Sequence, residues 1–153
     1  MKENQTYWNW GNEMKITISK EEMQYIAVAE KFTKAPIKDC VEIEDRITFI
    51  VEKGKLGKAI GRDAKNIKSL ENVFKKEIKF VEYDTDKKNF IVNLFKPYKL
   101  ENIVVKEEND GTTVHVTIDQ RDKGKAIGKN GRNIKILREI AKRHHDIVQL
   151  KVL

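Results

Sequence analysis

The strongest constraint on this chain is that it repeats itself. A shift of 67 residues lays GKAIGRDAKNIKSL (Gly57 to Leu70) over GKAIGKNGRNIKIL (Gly124 to Leu137), with nine of 14 positions identical. Two more positions keep a cation, Arg62 over Lys129 and Lys65 over Arg132. The same shift carries Ile47, Phe49 and Val51 onto Val114, Val116 and Ile118. Both triplets alternate with other residues, as in a strand with one buried face. Each half therefore reads as a strand, a glycine-rich basic segment and a helix. Two copies define tandem domains, because solenoid units are shorter and more numerous. A chain of 153 residues has room for two such domains.

Ser19-Lys20-Glu21-Glu22 has the form of a capping box, and Met23, Ile26, Ala29 and Phe32 follow at spacing three before Pro36. This predicts a helix over 20–34 with those four residues inward. Cys40–Ile43 and Arg46–Glu52 read as strands, and Ile78–Tyr83 as a closing strand. Ile67, Leu70, Val73 and Phe74 form one apolar stripe, which predicts a helix over 64–76. With Gly57–Ile60 as a short helix, the order is α-β-β-α-α-β. The second half repeats it. Lys87–Phe95 is a helix with Phe90, Ile91 and Leu94 inward, and Ile103–Glu107 and Thr112–Asp119 are strands around Asn109-Asp110-Gly111. A helix follows from Arg132 with Ile134, Leu137, Ile140 and Ala141 inward, then a strand over Ile147–Val152. The expected organisation is a flexible extension over 1–13, a first domain over 14–84 and a second over 85–153. Trp8 and Trp10 fall in the unpatterned extension and receive no stacking role.

The charge is uneven. Lys55–Lys79 holds eight cations against three acids, net +5, and Arg121–His145 holds nine against two, net +7. The whole chain is only +7, so the remainder is net −5. Positive charge gathers on the repeated segment, as the footprint of an anionic partner does. The chemistry of that segment agrees. In each copy a helix end meets a helix start across four residues, Gly61-Arg62-Asp63-Ala64 and Gly128-Lys129-Asn130-Gly131. Backbone N–H groups at a helix start carry partial positive charge and suit phosphate. Glycine lets an oxygen approach where a Cβ would obstruct it. Lys58, Arg62, Lys65 and Lys68 in the first copy, and Lys125, Lys129, Arg132 and Lys135 in the second, add attraction. Ile60 and Ile67, and Ile127 and Ile134, could floor a groove beside each loop where a base would lie.

Other classes are disfavoured. The glycines of the second copy fall as G-x-x-x-G-x-x-G, not the G-x-G-x-x-G of dinucleotide sites, and no G-K-[ST] ending occurs. No nucleophile–base pair stands out, so no catalytic residue and no cofactor is assigned and the chain is not read as an enzyme. His115, His144 and His145 have no metal-ligand spacing with Cys40. A single cysteine allows no intrachain disulfide and fits a reducing, cytoplasmic setting. No apolar run approaches the roughly 20 residues that span a bilayer, so no membrane partner is expected.

Gly128-Lys129-Asn130-Gly131 between two helices resembles the GXXG loop of KH domains, which clamps about four nucleotides of single-stranded nucleic acid. The element order resembles the type II KH fold, and the tandem resembles the archaeal-type NusA-like transcription factors over 14–153. That resemblance implies an α+β fold of two tandem type II KH domains, each a three-stranded mixed sheet with helices on one face. It implies a factor of transcription elongation or termination that binds single-stranded RNA. RNA polymerase or ribosomal proteins are candidate partners. A ribosome-biogenesis or translation-related KH protein, or a protein-docking scaffold, is the alternative. The first loop departs from the pattern at Asp63 and Ala64. The polymerase-binding N-terminal domain and S1 domain of bacterial NusA are not read here.

Overall fold

The structure is a computed structural model. It describes the backbone of residues 4–9 and 14–153, and side chains from Ile18 onward. The chain divides into two compact units, Met1–Asp84 and Thr85–Leu153.

The first unit begins with a hairpin of β1 (Asn4–Asn9) and β2 (Met14–Ser19), paired antiparallel. Part of the segment read as an extension is thus a strand. Trp10 and the rest of 1–3 and 10–13 lie outside the described residues. Ser19 then caps α1 (Lys20–Thr33): its hydroxyl accepts from the Glu22 N–H, and the Glu22 carboxylate accepts from the Ser19 N–H, both at 3.2 Å. Such a cap is worth about 1 kcal/mol. β3 (Ile37–Ile43) and β4 (Arg46–Val51) pair antiparallel. α2 (Leu56–Ile60) and α3 (Lys65–Phe74) cross back so that β5 (Glu77–Glu82) lies parallel to β4. The strand order is β3-β4-β5.

The second unit repeats the plan with α4 (Lys87–Phe95), β6 (Leu100–Glu108), β7 (Gly111–Ile118), α5 (Gln120–Ile127), α6 (Arg132–His145) and β8 (Ile147–Val152). β6 and β7 are antiparallel, β7 and β8 parallel, in the order β6-β7-β8. Each unit therefore contains the order α-β-β-α-α-β with one mixed three-stranded sheet, and the first unit adds the two-stranded β1–β2 hairpin before it.

In the first unit Ile47, Phe49 and Val51 of β4 and Ile78 and Phe80 of β5 share a core with Ala29, Ala59 and Leu70 from the helices. Phe49 and Phe80 stack at 5.5 Å. In the second, Phe90 and Leu94 of α4 and Leu137 and Ile140 of α6 are fully buried. The Phe90 ring lies 5.0 Å from that of His145 and 5.9 Å from that of His144, which places both histidines in helix packing.

Three expectations of facing change. β7 alternates as predicted, but β4 is buried at every position from Ile47 to Val51. Its sequence, ITFIV, is apolar or threonine at each of those positions, so it presents no polar face. Phe32, predicted inward, is 42% exposed at the end of α1, and Val73 is 50% exposed on α3. Tyr25, which the spacing did not single out, packs on the core with Phe74, which it did, and the two rings meet edge to face at 4.9 Å. An i,i+3 series drifts around a helix of 3.6 residues per turn, and the drift carries its last member out of the core.

Candidate nucleic-acid interface

The two glycine loops have the same backbone. Gly61 (φ 78°, ψ 166°) matches Gly128 (82°, 163°), Asp63 (55°, 32°) matches Asn130 (56°, 25°), and Ala64 (57°, 31°) matches Gly131 (71°, 15°). The hydrogen bonds repeat as well. Gly61 N–H donates to the Gly57 carbonyl and Ala64 N–H to that of Gly61. Gly128 N–H donates to Gly124 and Gly131 N–H to Gly128. Between the helices runs one 3-10 turn, Arg62–Ala64 or Lys129–Gly131. Ala64 therefore does not distort the first loop; it takes the left-handed conformation that glycine takes in the second.

The first glycine of each loop is needed for space. A Cβ on Gly61 would lie 2.9 Å from the Asn66 side-chain nitrogen, and one on Gly128 2.9 Å from the Asn133 backbone nitrogen. The last glycine is not confined in this way, since a Cβ on Gly131 would meet Ile134 Cγ2 at 3.6 Å, ordinary contact. Asn66 and Asn133 also fasten the loops. Asn66 Nδ2 donates to the Lys58 carbonyl at 3.2 Å, and Asn133 Nδ2 to the Ala126 carbonyl at 2.6 Å. In each unit this bond ties the helix after the loop to the helix before it. Both asparagines are identical in the repeat, which is the signal that could have marked them.

The loops expose what the sequence places at their centres. Arg62, Asp63, Lys129 and Asn130 are exposed, as are Lys58, Lys65 and Lys68 around the first loop and Lys125 and Lys135 around the second. Arg132 is half-buried, with its Nε enclosed and without a hydrogen-bond partner among the described residues. Ile134 is buried beneath the second loop, Ile60 and Ile67 pack on the first core, and Ile127 is half-buried. At the start of α5, Arg121 is bound by Asp119, which accepts from its side chain and its backbone N–H and is held below the usual carboxylate range by them. Lys79 differs from the loop lysines: burial, with Arg46 adding repulsion, pushes it down to about 8.

Sequence reasoning stopped at the loops and missed a groove of about 600 Å³ in the second unit, whose lining begins at Lys135, one turn into α6 after the loop. It runs between α6 and β8, and Lys135, Arg138, Lys142, Val148, Gln149 and Lys151 are among its lining residues. Positions 135, 138 and 142 follow the i, i+3, i+7 face of one helix, a pattern legible in advance. Val148 is 50% exposed there and offers an apolar surface among the cations. Among the described residues no three potential metal ligands gather, and no helix is long and apolar enough to cross a membrane.

A mixed three-stranded sheet and a helix–loop–helix element of one backbone geometry, both present twice, with an intact GXXG sequence and a basic groove in the second unit, define a protein of tandem type II KH domains. The comparisons with known proteins agree. Residues 87–152 match the NusA-like second KH domain, and residues 23–96 match the KH domain. A probable transcription termination protein NusA of Methanocaldococcus jannaschii is 34% identical over 91% of this chain and 76% of its own length. That of Halobacterium salinarum is 35% identical over 91% of this chain and 99% of its own. The crystal structure of APE1850 superposes with a TM-score of 0.73 at 35% identity, covering 89% of this chain and all of that one. The chain belongs to the archaeal NusA-like family.

Proposed function

We propose that this protein binds single-stranded RNA through the GXXG loop Gly128–Gly131 and the equivalent loop Gly61–Ala64, and acts as a factor in transcription elongation or termination. The observation that carries the binding is the second loop. Its exposed Lys129 and Asn130 sit at a helix–helix junction, flanked by Lys125 and Lys135 and opening beside a basic groove. Phosphates would lie against the loop and the start of α6, where helix-end N–H groups and cations converge. Bases would lie over Val148 and the β8 edge. A narrow loop-side groove suits unpaired bases and excludes a stacked duplex. The transcriptional role is supported by the relatives, which carry the name probable transcription termination protein NusA. RNA polymerase is a candidate partner on that ground alone.

Competition binding with single-stranded and duplex RNA of equal length tests the reading. The single strand should win, and affinity should fall with added salt as phosphate contacts release counterions. Equal or better duplex binding would refute it. Replacing both Lys129 and Asn130 by Asp should remove most binding while circular dichroism stays native, because both residues are exposed. Unchanged affinity would make the loop a structural turn, and absence of binding to bare RNA would favour a protein-docking role.

A further inference from the structure

Glu71 and Arg138 coincide under the 67-residue shift. Each reaches from the helix after the loop to the outer strand of its sheet. Ile78 pairs with Ile47, and Leu150 with Val114. Ile47 and Val114 also coincide under the shift, so Ile78 and Leu150 occupy one structural position. The Ile78 N–H donates to Glu71 Oε2 at 3.4 Å, whereas Arg138 Nε donates to the Leu150 carbonyl at 3.0 Å. One place in the fold thus carries a carboxylate in the first unit and a guanidinium in the second. In the second unit that place lies within the basic groove.

A trailing lysine attracts any phosphate. Arg138 is different, because its Nε is anchored on the strand and its planar fork is held in orientation. With Nε occupied, the remaining donors match an edge that offers two acceptors side by side, as guanine does with O6 and N7. The Glu71 carboxylate can only accept, and its complement is a base with an exocyclic amine: adenine, cytosine or the N1–H and N2 edge of guanine, but not uracil. β5 and β8 are both edge strands of their sheets.

We propose that this repeated position selects the base in each unit: Arg138 takes guanine, and Glu71 takes an amine-bearing base. The inference rests on RNA occupying the α6–β8 groove of the second unit and the matching α3–β5 face of the first. It is tested by selection from a random single-stranded RNA pool with the native chain, Arg138→Lys and Glu71→Gln. Lysine keeps the charge and loses the fork; glutamine keeps an acceptor and adds a donor. The native chain should enrich guanine at one position and exclude uracil at another. Arg138→Lys should lower the preference for guanine about tenfold, leaving RNAs without that guanine bound as before. Glu71→Gln should relax the preference at the other position alone. If Arg138→Lys weakens all sequences alike, or leaves guanine preferred, the residue contacts phosphate or nothing, and the inference falls. Should the native chain bind no RNA, the functional reading falls with it. Should Lys129 and Asn130 prove essential while Arg138→Lys keeps its preference, only this inference falls.

Discussion

Gly128 and Gly131 both have positive φ, yet alanine should act on them very differently. Gly128, at φ 82° and ψ 163°, lies in a region that is essentially glycine's alone, where another residue is strained by ~1–3 kcal/mol. Its new Cβ would also lie 2.9 Å from the Asn133 nitrogen and 3.0 Å from the Asn133 Cβ. Those atoms belong to the first turn of α6 and cannot yield without disturbing the Asn133–Ala126 bond. Strain and overlap together, less the ~0.4–1 kcal/mol that any glycine-to-alanine change returns through the unfolded chain, leave a net loss of about 3 kcal/mol. Gly131, at φ 71° and ψ 15°, is ordinary left-handed backbone, unfavourable for alanine by ~1–2 kcal/mol. Reduced freedom of the unfolded chain returns ~0.4–1 kcal/mol. The 3.6 Å contact with Ile134 adds nothing, so the net loss is about 1 kcal/mol or less. Urea unfolding of Gly128→Ala and Gly131→Ala, followed by circular dichroism, should therefore separate the two by about 2 kcal/mol. RNA titrations should show Gly128→Ala much weaker and Gly131→Ala close to native. Equal losses, or a larger loss at Gly131, would refute the assignment of the first glycine as the steric one.

Changing Asp63 to Asn and Ala64 to Gly should raise affinity for RNAs long enough to engage both loops more than for short ones, since a carboxylate a few ångströms from a phosphate is unfavourable by about 1 kcal/mol; unchanged affinity for both would exclude the first loop from binding. Removing the Asn133 donor with Asn133→Ala should speed hydrogen exchange at the Lys129 and Asn130 amides and weaken RNA binding, and native exchange rates would show that the bond to Ala126 holds nothing in place. Lys79 titrates at about 8 when folded against 10.5 in the free side chain. The folded state thus disfavours its proton: stability is highest above about pH 10.5, declines as pH falls through that window, and stays lowered below about 8. Relative to Lys79→Met, the native chain should lose on the order of 1–3 kcal/mol between those limits, and a flat difference across the range would refute it.

The element order was readable because its signals are local. A capping box, alternating apolar triplets and two helical stripes each act within a few residues. The repeat then fixed which halves correspond. What escaped depended on contacts between elements. α6 is 14 residues long and α3 ten, so the 67-residue shift that aligns the loops no longer aligns β5 with β8. The correspondence of Ile78 with Leu150 emerges only from strand register. The groove cations Arg138 and Lys142 were visible as a helical face, but the strand that makes them a groove was not. Val73 and Phe32 look like core by spacing and are exposed because spacing of three does not hold one face. Ala64 looked like damage to a motif, and only its φ of 57° shows the loop intact.

The asparagine bond across each loop has a consequence in time as well as in shape. A segment already fastened in its working geometry has little left to order when an anion arrives, so encounter meets no waiting step for rearrangement. Association should then vary little among charge-preserving variants of the exposed residues, and residence time should carry nearly all the difference between them. Freeing the Asn133 amide would invert that pattern: arrivals would slow, because only the fraction of loops that happen to be closed could capture the strand.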